Sequence, residues 1–215
     1  MREGLHSVDM IKQIVSASPR LRARIAGVLY LIIFIAAPSG AKDVTLAKMA
    51  ITMTCDTGVA LLFYGLLKPV NKNLSLLAAV FRLILVAVMT VSSLNYFGLL
   101  GSFKDAHSAA AFNNGYDIAL VPFGIHCLLT GYLIFRSTFL PRIIGILLAL
   151  AGMGYLTFVW PPLGDRLFVP YILVPGLVGE GSLALWLTFF GVNSERWTQT
   201  ANAAVQIQSS RSRRP

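Results

Sequence analysis

The chain has 215 residues, of which 56% are hydrophobic and 13% charged, with a mean hydropathy of +0.70. Soluble domains carry about a quarter charged residues, so this composition excludes an ordinary soluble globule and places the chain in the membrane class. The net charge of +9 does not point to nucleic acid, because most Lys and Arg flank apolar runs instead of forming an aromatic-interleaved patch.

Residues 1–18 carry Arg2 and Lys12, with Leu5, Val8, Ile11 and Val15 at three- and four-residue spacing. That is the pattern of a short helix lying on a membrane surface. Ser18 and Pro19 read as the cap and first position of a new helix. The first apolar run, Ile25 to Ala41, ends at Lys42 and Asp43. Its Ser-Gly-Ala ending faintly resembles a signal-peptidase site. The long preceding region and the extent of the run argue for a retained span instead. The second run extends from Lys48 to Leu67, and a turn containing Pro69, Asn71 and Lys72 leads to the third, Leu74 to Leu100. A polar loop, Gly101 to Gly115, precedes the fourth, Tyr116 to Phe135. The fifth is Ile143 to Trp160 and the sixth Leu167 to Val192. Residues 193–215 are polar, with Arg211, Arg213 and Arg214, and lack the apolar content to fold alone, so disorder is expected there.

Each run approaches the ~20 residues needed to cross a ~30 Å hydrocarbon core. Single spans satisfy their backbone in lipid only as helices. The expectation is therefore an all-α polytopic membrane protein with six spans over residues 19–192. Thirteen basic residues gather on the side of the two termini, including Arg20, Lys68, Arg136 and Arg196, against Lys42, Lys48, Lys104 and Arg166 on the other. The positive-inside rule then places both termini in the cytoplasm.

Ionisable groups at mid-bilayer cost at least ~2.5–3.5 kcal/mol each on insertion scales, so each needs a reason. Asp56, Arg82, His126 and Glu180 qualify. At ~1.5 Å per residue they lie about 12–19 Å from the cytoplasmic end, on four different helices. The short turn between the second and third helices makes Asp56 and Arg82 expected partners. Glu180 is then a second carboxylate for Arg82, with His126 bridging. Lys48, Thr52, Asp56 and Tyr64 form one stripe that must face protein or water. Pro170, Pro175, Gly176, Gly179 and Gly181 surround Glu180, so a kink or unwound stretch is expected there, and Pro122 is expected to disturb the fourth helix before His126.

The structural alternatives stand beside these readings. An Asp–Arg–Glu network can fix helix register without adding stability, and His126 can be a satisfied packing histidine or a proton carrier. Cys55 and Cys127 lie inside apolar runs without metal-ligand or disulfide spacing and read as packing residues. Gly124, Gly131, Gly145 and Ala149 read as close-packing points, and Tyr116 and Trp160 as interface anchors. The nucleophile, zinc and phosphate-loop motifs GxSxG, HExxH, GxxxxGK[ST] and GxGxxG were not found in the sequence.

Four segments, RIAGVLYLIIFIA (24–36), DTGVALLFYGLLKPVNKNLSLLAAVFRL (56–83), FGIHCLLTGYLIFRSTFLPRIIGILLALAGMGYL (123–156) and VPGLVGEGSLALWL (174–187), resemble the uncharacterised bacterial membrane family DUF4386. The resemblance covers residues 20 to 192 and implies a multi-pass protein without an assigned activity. Its polar pattern falls on Asp56, Arg82, His126 and Glu180. The chain departs from it in a short connection at Lys42 and Asp43, where relatives carry a longer outer loop.

The expected function is small-molecule or ion binding, or transport, at this mid-membrane polar centre, in a bacterial inner membrane. Arg82 would hold an anion or clamp the carboxylates, and His126 would titrate. No cofactor, metal or nucleic acid is expected, and the partners are the lipid bilayer, a small ligand or ion, and another membrane protein. The alternatives are a structural or accessory subunit and, with less support, an intramembrane enzyme using His126 and Glu180 as acid and base.

Overall fold

The computed structural model describes residues 18–38, 43–99 and 109–212. The expected surface helix of residues 1–18, all but Ser18, and parts of the two outer connections lie outside these residues. The described elements are helical: α1 (Pro19–Ala36), α2 (Leu46–Leu67), α3 (Lys72–Tyr96), α4 (Ala109–Arg136), α5 (Arg142–Tyr155), a short α6 (Pro161–Leu167), α7 (Leu173–Phe189) and α8 (Ser194–Ser212). A 3₁₀ turn, Leu156–Val159, extends α5, and a π turn, Phe168–Ile172, joins α6 to α7.

The helix starts follow from local chemistry. Ser18 accepts from the Leu21 amide at 3.3 Å with Pro19 in the first turn, Thr45 accepts from Lys48 at 3.2 Å, and Asn71 accepts from Leu74 at 3.1 Å. Each cap satisfies an amide that the first turn leaves without a partner.

Among the described residues, five stretches are long and apolar enough to cross a membrane: Leu46–Leu67, Lys72–Tyr96, Ala110–Arg136, Arg142–Val159 and Pro161–Phe189. Among the described residues the chain is all-helical, with the several membrane-spanning-capable helices of a membrane protein. The expected first span, α1, does not meet the same measure, because Arg20, Arg22 and Arg24 occupy its first two turns. The fourth helix starts earlier than the sequence suggests, since part of the expected polar loop, from Ala109 on, is already helical.

The helices pack as a ring in chain order. Each of α1 to α5 contacts its chain neighbour, α5 contacts α7, and α7 closes against α1. The α4–α5 seam brings two backbones close together. A Cβ on Gly131 would sit 2.6 Å from the Gly145 carbonyl oxygen, and one on Gly152 would sit 2.7 Å from that of Gly124. Both are below contact distance, so small residues here let two backbones touch, as the sequence indicates.

Two expectations are corrected. The sixth run does not unwind at Glu180, because α7 is continuous from Leu173 to Phe189. The break lies upstream, where Val169 is extended (φ −112°, ψ 124°). Pro175 falls in the first turn of α7, where a missing amide costs no helical hydrogen bond. Gly179 serves packing, for a Cβ there would lie 2.8 Å from the Leu147 carbonyl oxygen. Pro122 likewise sits inside an unbroken α4.

The second correction concerns the tail. Residues Ser194–Ser212 form α8, capped by the Asn193 side chain, which accepts from the Arg196 amide at 3.1 Å. The Trp197 indole donates to the Leu66 carbonyl at 2.8 Å, and Arg196 donates to that of Thr138 at 3.2 Å. These contacts anchor the first turns of α8 across the basic end of the ring, which is how a polar segment acquires structure its composition does not foretell.

Candidate functional site

The ring's interior carries a polar layer set by helical periodicity. Asp56 follows Met49 and Thr52 on the buried stripe of α2; Arg82 follows Ser75, Ala78 and Ala79 on that of α3. His126 lies on α4 among buried Phe123, Cys127 and Thr130, and Glu180 lies on α7 between Gly176 and Leu183. All four are buried, with Arg82 fully so at 0% exposure.

The first three form one connected chain. Arg82 donates from Nε (2.9 Å) and Nη2 (2.6 Å) to a single oxygen, Oδ1 of Asp56. Arg82 Nη1 lies 3.1 Å from His126 Nε2, and His126 Nδ1 lies 2.9 Å from the Ala78 carbonyl oxygen. A carbonyl only accepts and a guanidinium only donates, so the imidazole is neutral, with its proton on Nδ1 and its Nε2 lone pair facing arginine. The expected proton-carrying role of His126 therefore requires breaking the Arg82 contact. Phe63 and Phe123 flank the imidazole in near-parallel stacks at 6.4 and 5.8 Å between centroids.

Glu180 does not join this chain in the expected way. Its Oε2 accepts from the Tyr30 hydroxyl at 3.0 Å, and its Oε1 from the Tyr155 hydroxyl at 2.5 Å. The link to Arg82 is the Tyr30 ring, whose centroid lies 4.6 Å from the guanidinium carbon; the Phe123 ring lies 5.5 Å from the same atom. Tyr30 thus stacks on the cation with its face and serves the carboxylate with its hydroxyl. Sequence reasoning missed Tyr30 and Tyr155. The available signal was a tyrosine in mid-run, away from the membrane interface where its hydroxyl finds water.

Above the layer lies a cavity of about 380 Å³. Its walls come from the C-terminal half of α1, the N-terminal halves of α2 and α4, the middle of α3, Tyr155 and the first turns of α7. These are the ends opposite Lys68, Arg136 and α8. Asp56, Arg82, Glu180, Tyr30 and Tyr155 close it on the inner side, whereas His126 stands behind Arg82 and does not line it. Thr52, one turn from Asp56 on the predicted stripe, lines it as well, while Lys48 pairs with Asp43 at 2.5 Å. Tyr116 borders the cavity, and Trp160 is 66% exposed at the end of α5's 3₁₀ turn. Cys55 and Cys127 are free and buried.

A protein from Archaeoglobus fulgidus, described as uncharacterized, is 32% identical over 136 residues, covering 63% of this chain and 76% of the relative. No solved structure matches the chain. Residues 43–191, which include every member of the polar layer except Tyr30, match the family described as Domain of unknown function (DUF4386). The chain belongs to that family.

Proposed function

We propose that this protein crosses a bacterial inner membrane six times, with both termini in the cytoplasm, and binds or passes a small molecule or ion at the polar layer. The observation that carries the reading is the cavity that ends on two carboxylates. A cavity of about 380 Å³ lies in the range of small-molecule sites, and its walls are mostly apolar with a few convergent polar groups. Intramembrane ionisable residues cluster at such sites because their insertion cost has to be matched by use. The sixth span is α1. Its arginines sit at the basic end, where Arg24 donates to the Phe189 carbonyl at 3.2 Å, and its apolar part packs between α2 and α7. Reporter fusions at residue 206 and at Gly164 are expected to lie on opposite sides of the membrane, the former cytoplasmic.

The test of binding uses purified protein in lipid vesicles, a panel of small ions and amphiphiles, and two readouts, ligand-induced thermal stabilisation and flux. Wild type should be stabilised by some member of the panel. Glu180→Gln and the cavity-filling Met53→Trp should lose that stabilisation while keeping the fold. A response unchanged in both variants would place binding elsewhere. An accessory role is the second reading, supported by the Asp56–Arg82–His126–Ala78 chain, a closed network that can hold α2, α3 and α4 in register. A stoichiometric membrane partner, together with no ligand response, would favour it.

A further inference from the structure

We propose that the ligand of this cavity is an organic cation, an ammonium group carrying an apolar body about the size of a single aromatic ring. This inference rests on the binding reading above and names the chemistry it would take.

The first support is the state of Arg82. Its Nε and Nη2 donate to Asp56, its Nη1 faces His126, two aromatic rings flank its plane, and none of its surface is exposed. The positive charge of the layer is thus spent inside the protein, and an anionic ligand meets no free cation among the described residues that line the cavity.

The second support is what the lining offers instead. Both arginine donors go to Oδ1 of Asp56, and Oδ2 accepts no hydrogen bond among the described residues. It is also absent from the polar atoms sealed away without a partner, so it is open to the cavity its residue lines. Glu180 accepts two hydrogen bonds out of the roughly four that a carboxylate can take. The Tyr30 and Tyr155 hydroxyls spend their hydrogens on Glu180 and keep lone pairs. Thr52 likewise donates to the Lys48 carbonyl at 2.8 Å. These groups are acceptors, and an ammonium brings only donors. Tyr116 adds a hydroxyl of either sense.

The third support is charge. Asp56 is balanced by Arg82, whereas among the described residues Glu180 has no ion pair and no second basic side chain lines the cavity. A bound cation supplies that counter-charge. Phe34, Phe112 and Phe123 offer ring faces, and Met49, Met53 and Met89 offer polarisable sulfur, the surroundings that suit an ammonium with an apolar body.

The experiment compares three probes of one shape on the full chain in detergent at neutral pH: 2-phenylethylammonium, 2-phenylethanol and phenylacetate. The ammonium should raise the unfolding midpoint most, the alcohol less, and phenylacetate not at all. Glu180→Gln should weaken the ammonium by about tenfold to a hundredfold, the value of a charge-assisted contact, while the alcohol changes by less than about threefold. Because the ranking of probes is read on wild type, it holds even where that variant folds poorly. Should phenylacetate bind as well as the ammonium, the cation proposal falls and the cavity reading survives. No response to any of the three also overturns the cation proposal, and the binding reading then stands or falls on the panel of ions and amphiphiles.

Discussion

The two halves of the bundle, divided by the polar layer, are built on different rules. The half toward α8 is closely packed inside the ring, and its hollow of about 430 Å³ lies at the surface, beside exposed Arg20, Phe190 and Asn193. Leu133, Ile134, Ile144 and Leu187 are almost wholly buried there, Gly131 and Gly145 bring two backbones into contact, and Trp197 locks α8 over the end. The opposite half surrounds a cavity with methionines and aromatic rings. One half uses close packing to fix the ring, and the other leaves space beside charged groups. The layer between them has the same division at smaller scale. Asp56, Arg82 and His126 are bonded to one another, and Glu180 leans on two tyrosines at the cavity wall. On the proposed function the arginine side holds the structure and the glutamate side meets the ligand.

The largest expected effect tests that division at the layer. Arg82→Met leaves Asp56 buried without its partner and should cost about 3–5 kcal/mol of stability, measured by unfolding in mixed micelles. The double substitution Arg82→Met with Asp56→Leu should recover much of the loss, since removing both charges relieves the unpaired one. A single variant as stable as wild type would mean that water entering from the cavity can take the place of the arginine and that the pair does not hold the ring.

Second in size is a contrast of added bulk in the two halves. Gly131→Val pushes side-chain atoms against the Gly145 carbonyl and the Ala149 amide, which lie 2.6 and 3.0 Å from the first carbon added. It should cost about 2–3 kcal/mol. Met53→Phe, at the wall of the cavity, should cost less than about 1 kcal/mol because its new atoms have space. Equal costs would erase the distinction between a packed and an open half.

How much of this was legible in the sequence depends on what lipid makes costly. Asp56, Arg82, His126 and Glu180 stood out because an ion in hydrocarbon is expensive enough to dominate any other reading of those positions. The expected direct contact of Glu180 with Arg82 gives way to one through Tyr30, which was not legible because a phenol in an apolar run carries no comparable cost. The position of the helix break was also hidden. Prolines and glycines mark where a helix can break, but Pro175 fell in a first turn, and Gly176 makes room for Tyr155, whose hydroxyl occupies the place of the missing Cβ. Those residues only declare their use once the neighbouring helix is known.

A smaller effect is expected at that tyrosine. Tyr155→Phe keeps the ring and removes one hydrogen bond to Glu180, a loss of about 1.5 kcal/mol at the low end for bonds to charged groups, since the cavity lets water take the place of the hydroxyl. Ammonium binding should weaken with it by several-fold. A loss above about 3 kcal/mol would place Glu180 with the closed side of the layer, as a structural residue.

The smallest effect belongs to the basic end. Trp197→Phe retains an aromatic ring near Arg22 and deletes only the indole donor to the Leu66 carbonyl. One neutral hydrogen bond is worth about 0.5–1.5 kcal/mol, too little to unsettle a ring held by six helix seams, so global unfolding should move very little. Local order should respond more. The contacts of α8 with the ring include Trp197, Arg196 and the Thr138–Thr200 hydroxyl contact at 3.4 Å, and a helix held by surface contacts opens locally when one is cut. Faster proteolysis within α8, with an unchanged midpoint for the bundle, is the expected pair of results. If the midpoint falls with it, the tail is part of the packed half's core and not a strap across its end.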